Sequence, residues 1–279
     1  MLQFWSWCYE WGVRTFLVSP DEPTAAKGIS TMSDTATRTT ALITGSSSGI
    51  GLDIARAFLA SGANVVLNGR DPERLAKAAA GLGRPERTAW VAGSIAEART
   101  GEDLVHTALD RFDSLDVLVN NAGTFSSSPF TEVTEAELDG FLTGNLKGTY
   151  LTTQAFVRAL RAQGRGGSVV NIGTVLVDHA VAGFPASAPV VSKAGVHALT
   201  TALSAELAAD GIRVNLVAPG IVRTPLHSGS DVDSFGGIAL LGRVAEVSEI
   251  SEAVLYLAGA EFVTGHALRV DGGYVTGRS

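Results

Sequence analysis

Seven short apolar runs recur along the chain, each separated from the next by a longer stretch. The runs are TALIT (40–44), ANVVLN (63–68), RTAWVA (87–92), LDVLVN (115–120), SVVNI (168–172), IRVNLV (212–217) and ALRV (267–270). They are rich in Val, Ile and Leu. Several are nearly continuous in apolar character, as strands covered on both faces should be. Amphipathic segments lie between them. IGLDIARAFLASG follows the first run, and AGVHALTTALSAELAADG precedes the sixth. In the latter, Val196, Leu199, Leu203 and Leu207 recur at three- and four-residue steps and mark a buried face, with Gly211 as the stop. This alternation predicts a parallel sheet wrapped by helices. Right-handed crossovers give it the doubly wound, Rossmann-type α/β form. No internal repeat is visible, and a single domain over 38–279 is expected.

Composition agrees with that picture. The 279 residues are 46% hydrophobic and 18% charged, which supports a sizeable core. The net charge of −7, without a basic block, argues against a nucleic-acid surface. No uninterrupted apolar run is long enough to span a bilayer. The lone cysteine, Cys8, allows no internal disulfide and fits a reducing cytoplasm.

Residues 1–37 stand apart as an N-terminal extension. Met1 to Val18 holds Trp5, Trp7 and Trp11, three of the four tryptophans, and Glu10 and Arg14 interrupt its apolar run. It lacks the basic start and cleavage pattern of a signal peptide. Residues 19–39, rich in Ser, Thr, Pro, Asp and Ala, read as linker. Met32 is the expected translation start. The alternative is an amphipathic arm that docks on a partner or a membrane.

The first predicted strand runs into TGSSSGIG, with glycines at 45, 49 and 51. A tight glycine turn at a helix N-terminus lets backbone N–H groups approach a pyrophosphate. The spacing is G-x-x-x-G-x-G. A lone glycine motif is weak, but this one lies between a strand and a helix, the context that gives it meaning. Further motifs follow in order: NNAG (120–123), Asn145 in GNLKG, NIGT (171–174), Lys193, Pro219-Gly220 with Thr224, and DGG (271–273). Taken together, the ordered set from about Thr40 to the C-terminus resembles the short-chain dehydrogenase/reductase family.

The resemblance implies a Rossmann-type fold and hydride transfer between a nicotinamide cofactor and a carbonyl or alcohol. It implies that Gly45, Ser47, Ser48, Gly49, Ile50 and Gly51 cradle the pyrophosphate. Ser94 and Ile95 would flank adenine. Asn121, Ala122 and Gly123 would line the cofactor, and Pro219, Gly220, Val222 and Thr224 its nicotinamide end. After the second strand, Gly69 stands where an NAD-type aspartate would be, and Arg70 follows. A guanidinium there suits the 2′-phosphate of NADP, with NAD as the alternative. Asp71-Pro72 reads as a helix N-cap followed by proline at the first helical position.

For chemistry, the family uses Asn, Ser, Tyr and Lys. Asn145 and Lys193 match, and Thr174 keeps a hydroxyl at the serine position. The tyrosine position, four residues before Lys193, is Pro189 in PASAPVVSKAG. None of the four lysines has a tyrosine four residues earlier. Proline is at ease in the first turn of a helix but has no proton to give. Lys193 lies one turn further on the same face and is expected to hold the nicotinamide ribose. Three substitutes for the missing acid suggest themselves: His179, a water held by Lys193 and Thr174, and His227 in the lid-like PLHSGSDVDSFGG. Phe125, Leu176, Phe184 and Leu226 are candidate lining for an apolar pocket.

The leading expectation is an NADP(H)-dependent short-chain oxidoreductase with an atypical proton donor. It would act on a small-molecule substrate in the cytoplasm, as a homodimer or homotetramer, with no metal. The alternatives are a non-redox enzyme on the same scaffold and a cofactor-binding partner subunit without catalysis.

Overall fold

The computed structural model describes residues 38–225 and 231–277. The N-terminal extension, with Met32 and Cys8, and the lid residues Leu226 and His227 lie outside the described residues.

Seven parallel strands form one sheet in the order β3-β2-β1-β4-β5-β6-β7. They are β1 (Thr40–Ile43), β2 (Asn64–Gly69), β3 (Thr88–Ala92), β4 (Val117–Asn120), β5 (Gly167–Ile172), β6 (Ile212–Pro219) and β7 (Ala267–Val270). Each coincides with one of the seven apolar runs. The helices are α1 (Gly49–Ala60), α2 (Pro72–Gly81), α3 (Ala98–Phe112), α4 (Glu135–Phe141), α5 (Gly148–Gln163), α6 (Ser187–Glu206) and α7 (Val247–Gly259).

Strand alternation divides the core into two layers. Ala41 and Ile43 of β1, with Val65 and Leu67 of β2, meet Ile54 and Phe58 of α1 and Ile250 and Val254 of α7. Leu42 and Val66 point the other way, to Leu104 of α3 and Phe156 and Leu160 of α5. A sheet covered on both faces needs apolar residues of either parity, so its strands read as unbroken apolar runs. Val196 and Leu207 of the anticipated buried face are 1% exposed. Leu203 is partly buried against the second layer. Gly211 closes that stretch in the left-handed region, at φ +69°.

The strand order reverses between β1 and β4. A doubly wound sheet opens a crevice at that point, beyond the carboxyl ends of its strands.

Candidate active site

A cleft of about 260 Å³ occupies that crevice. Gly45, Ser47 and Ser48 line it from the β1–α1 turn, Asn68 to Arg70 from the end of β2, and Gly93 to Ile95 from beyond β3. Ala122 to Thr124 close it from β4, with Gly144 beyond them.

The glycines of the first turn have separate reasons. Gly45 and Gly49 take φ of +64° and +57°, where a side chain is strained. A β-carbon built on Gly51 would stand 2.5 Å from both Asn121 Nδ2 and Gly45 O. Asn121 braces the turn: its Nδ2 donates to Thr44 O and Gly45 O, both at 3.0 Å. Thr44 Oγ1 accepts from the backbone N–H groups of Asn121 and Ala122, again at 3.0 Å. Asn121 therefore shapes the cleft wall through these bonds.

The turn delivers the N-terminus of α1. Its N-cap, Ser48, makes no side-chain capping bond, and the first turn carries no acidic residue. The leading N–H groups of α1 are available to an anion. α2 is finished differently. The Asp71 carboxylate accepts from Glu73 N at 3.0 Å and Arg74 N at 3.1 Å, with Pro72 at the first helical position, as expected from sequence.

Arg70 and Arg74 both line the β2 end of the cleft, and no lining residue is acidic. Ser94 Oγ accepts from Ala96 N at 3.4 Å. Ile95 is buried, and a β-carbon on Gly148 would meet its side chain at 2.6 Å. Glycine there lets α5 close on Ile95.

At the opposite end, Asn145, Lys193 and Gly123 converge. Asn145 sits fully buried in a π-helical turn, Leu142–Lys147, between α4 and α5. Such turns recur at functional sites because they redirect one side chain. Its Oδ1 accepts from Thr124 N at 2.8 Å, and its Nδ2 donates to Thr124 O at 3.1 Å and Ser192 Oγ at 2.9 Å. Lys193 Nζ donates to Ile172 O at 2.7 Å. A β-carbon on Gly123 would come within 3.0 Å of Asn145 Oδ1 and 3.2 Å of Lys193 Nζ. Lys193 is partly buried, and the loss of hydration around its ammonium lowers its pKa to about 8.

Pro189 is buried in the first turn of α6, and its carbonyl accepts from Ser192 Oγ at 2.8 Å. Thr174 follows β5, and its Oγ1 accepts from Leu176 N at 3.3 Å. His197, one turn beyond Lys193, has a buried Nε2 without a hydrogen-bond partner. Burial holds its pKa down, assisted by the Lys193 charge and opposed by Asp178.

The other anticipated residues fall around this frame. Thr224 is near Gly49, whose built β-carbon would lie 3.7 Å from Thr224 Cβ. Val222 is buried in the first core layer, and Gly220 packs on Asp271. Pro219 ends β6. Phe125 and Phe184 stack with centroids 5.9 Å apart and an 8° interplanar angle. Ser127 Oγ and Ser128 N both bond Pro185 O, at 2.7 and 3.0 Å, so the two loops are clasped. His179 meets Tyr274 edge-on at 5.2 Å, and Asp178 pairs with Arg269 of β7 at 2.7 Å. That pair is engaged with the C-terminal segment.

Sequence reading missed Arg74, Thr124, Gly144 and Ser192. Arg74 was open to discovery: it lies in the first turn of the helix that Asp71 caps, four residues past Arg70. Ser192 carried no signal, because its role depends on the π-turn that brings Asn145 to it.

Comparison with known proteins assigns the class. A family model described as enoyl-(acyl carrier protein) reductase matches residues 45–275. The chain belongs to the short-chain dehydrogenase/reductase superfamily. It is 37% identical to galactitol 2-dehydrogenase (L-tagatose-forming) of Cereibacter sphaeroides, over 84% of this chain and 94% of that protein. It is 36% identical to trans-4-hydroxycyclohexanecarboxylate dehydrogenase of Sinomonas cyclohexanicum, over 90% and 98% respectively. Among solved structures, an actinorhodin polyketide ketoreductase variant with NADPH superposes with a TM-score of 0.80 at 32% identity, covering 86% of this chain and 98% of that one. At the level the superfamily defines, this is an oxidoreductase acting on a carbonyl or alcohol.

Proposed function

We propose that the chain is an NADP(H)-dependent oxidoreductase of a carbonyl/alcohol pair that works without the family's tyrosine. The observation that carries this reading is one continuous cleft. It has two arginines and no carboxylate at one end, the β1–α1 turn with its uncapped helix N-terminus in the middle, and Gly123 at the other, with Asn145 and Lys193 directly behind that glycine. Arg70 and Arg74 match a 2′-phosphate in charge and donor geometry. The N–H groups of α1 suit a pyrophosphate, and Lys193 suits the ribose hydroxyls. A bound reduced nicotinamide supplies hydride. The protein's part is to hold the carbonyl carbon facing it, with Thr174 steadying the oxygen, and to provide a proton from a group other than a tyrosine at position 189.

The relatives named for a polyol and for a hydroxycyclohexanecarboxylate favour a hydroxyl on a carbon skeleton, or its ketone, as substrate. The stacked pair of Phe125 and Phe184 favours an apolar face on that substrate.

Calorimetric titration of the cofactor-free protein with NADPH and NADH is the test. NADPH-selective binding, followed by oxidation of NADPH with a panel of ketones, aldehydes and quinones, is the expected result. Pro189 favours two other readings, a non-redox enzyme and a cofactor-binding partner subunit. Product mass separates the first, since reduction adds two hydrogens and isomerisation none; a partner subunit binds cofactor and yields no product.

A further inference from the structure

Any carbonyl reduction on this chain needs a proton at the substrate oxygen, and among the described residues few groups near Asn145 can give one. Pro189 has none. Ser192 Oγ donates to Pro189 O and accepts from Asn145 Nδ2, so its hydrogen is committed inside α6. Thr174 is a hydroxyl of very weak acidity, and the Asn145 amide is weaker still. On β5 the neighbouring group is the Ile172 carbonyl, which accepts and cannot donate.

Among the described residues, the mutually interacting titratable groups here are Lys193 and His197 on α6 and Asp178 after β5. Asp178 is paired with Arg269. His197 Nε2 lies behind Gly173, where a built β-carbon would stand 2.5 Å from it and 2.7 Å from Leu216 Cδ2 of β6. It faces packing against the sheet. Lys193 Nζ, by contrast, lies beside Gly123, which lines the cleft, and uses one of its three N–H groups on Ile172.

We propose that Lys193 itself delivers the proton to the substrate oxygen, acting as a catalytic acid as well as a holder of the cofactor. The inference rests on the reductase reading above. The carbonyl carbon receives hydride from the reduced nicotinamide cofactor. The C=O π pair moves to oxygen, and that oxygen takes the proton that leaves Nζ. The neutral amine is reprotonated from water as product departs. Desolvation supports the role: an ammonium with a pKa of about 8 is charged at neutral pH yet gives up its proton far more readily than a solvated lysine. In the direction of alcohol oxidation the same amine is the base.

The full chain and its Lys193→Arg variant provide the test. Arginine keeps the charge and donors but does not deprotonate near neutrality. Two readouts are compared: the pH profile of carbonyl reduction, and a ¹³C NMR titration of lysine-labelled protein with its four lysines. In the wild type, reduction should fall as pH rises through about 8, and one lysine resonance should titrate there. In the variant that resonance disappears, NADPH still binds, reduction drops roughly 10²-fold or more, and the limb near pH 8 is lost. A limb that persists in Lys193→Arg, or a wild-type lysine set that titrates only in the solvated range, overturns the assignment while leaving the reductase intact. A wild type that binds no NADPH, or binds it and reduces nothing, overturns both.

Discussion

Asn145 and Ser192 join the π-turn to α6 through a single buried hydrogen bond, Nδ2 to Oγ at 2.9 Å. Asn145 grips both backbone groups of Thr124 with the rest of its amide. One side chain thus holds three segments together beside Gly123 and Lys193.

Replacing Asn145 with Ala should loosen all three. Leaving buried partners unsatisfied typically costs about 1–3 kcal/mol. Urea unfolding of Asn145→Ala should show a loss in that range.

The two glycines of α1 should respond differently. Gly51→Ala drives a methyl to 2.5 Å from Gly45 O and Asn121 Nδ2 and must displace backbone. Overpacking of that kind costs about 1–3 kcal/mol and should abolish cofactor binding by spreading the turn. Gly49→Ala meets nothing nearer than 3.7 Å, but φ is +57°. Its penalty is conformational, about 1–2 kcal/mol, with binding retained. Melting curves and NADPH titrations of the two variants separate the cases.

Arg70→Ala and Arg74→Ala should each weaken NADPH and leave NADH unchanged. A charge-assisted bond is worth about 1.5–3 kcal/mol, so roughly a 10- to 100-fold loss in NADPH affinity is expected at low salt. Equal losses for both nucleotides would instead place these arginines on a shared part of the ligand.

Lys193 should limit the stability of the free protein. Its folded pKa of about 8 lies below the ordinary 10.5, so between those values the unfolded chain binds more protons. Stability should therefore rise with pH across that window and be lowest below it. Lys193→Met removes the dependence and, by deleting a partly desolvated charge, should stabilise the ligand-free fold at pH 7 by about 1–3 kcal/mol. Denaturant curves at neutral and alkaline pH measure both effects.

Pro189→Tyr tests the other side of the same site. Position 189 lies in the first turn of α6, where no intrahelical bond from its N–H is needed, so the backbone suits either residue. A tyrosine there adds a second acid, and reduction should accelerate by about 10²-fold. The measurement is the rate of NADPH oxidation with a responsive substrate.

Strands and helices were legible because a sheet covered on both faces needs unbroken apolar runs. ALRV (267–270) coincides with β7 to the residue. The Asp71 cap was equally readable, since capping is local chemistry. The inter-element contacts were not. The Asn145–Ser192 bond spans 47 residues, and nothing in either neighbourhood announces it. Arg74 lies between these extremes: its position on α2 was deducible, its place in the cleft only after α2 was docked. His179 is a candidate acid in the sequence because histidine as a class titrates near neutrality; its edge-on contact with the Tyr274 ring is visible only in the fold.

The bare N-terminus of α1 has a consequence for the life of the protein. A helix without its cap is finished by whatever anion settles on it, so nucleotide and fold become thermodynamic partners. Occupancy at 100 times Kd adds about 2.7 kcal/mol to stability. On the proposed reading, a cell rich in the bound dinucleotide would preserve this protein, and starvation for that dinucleotide would shorten its lifetime.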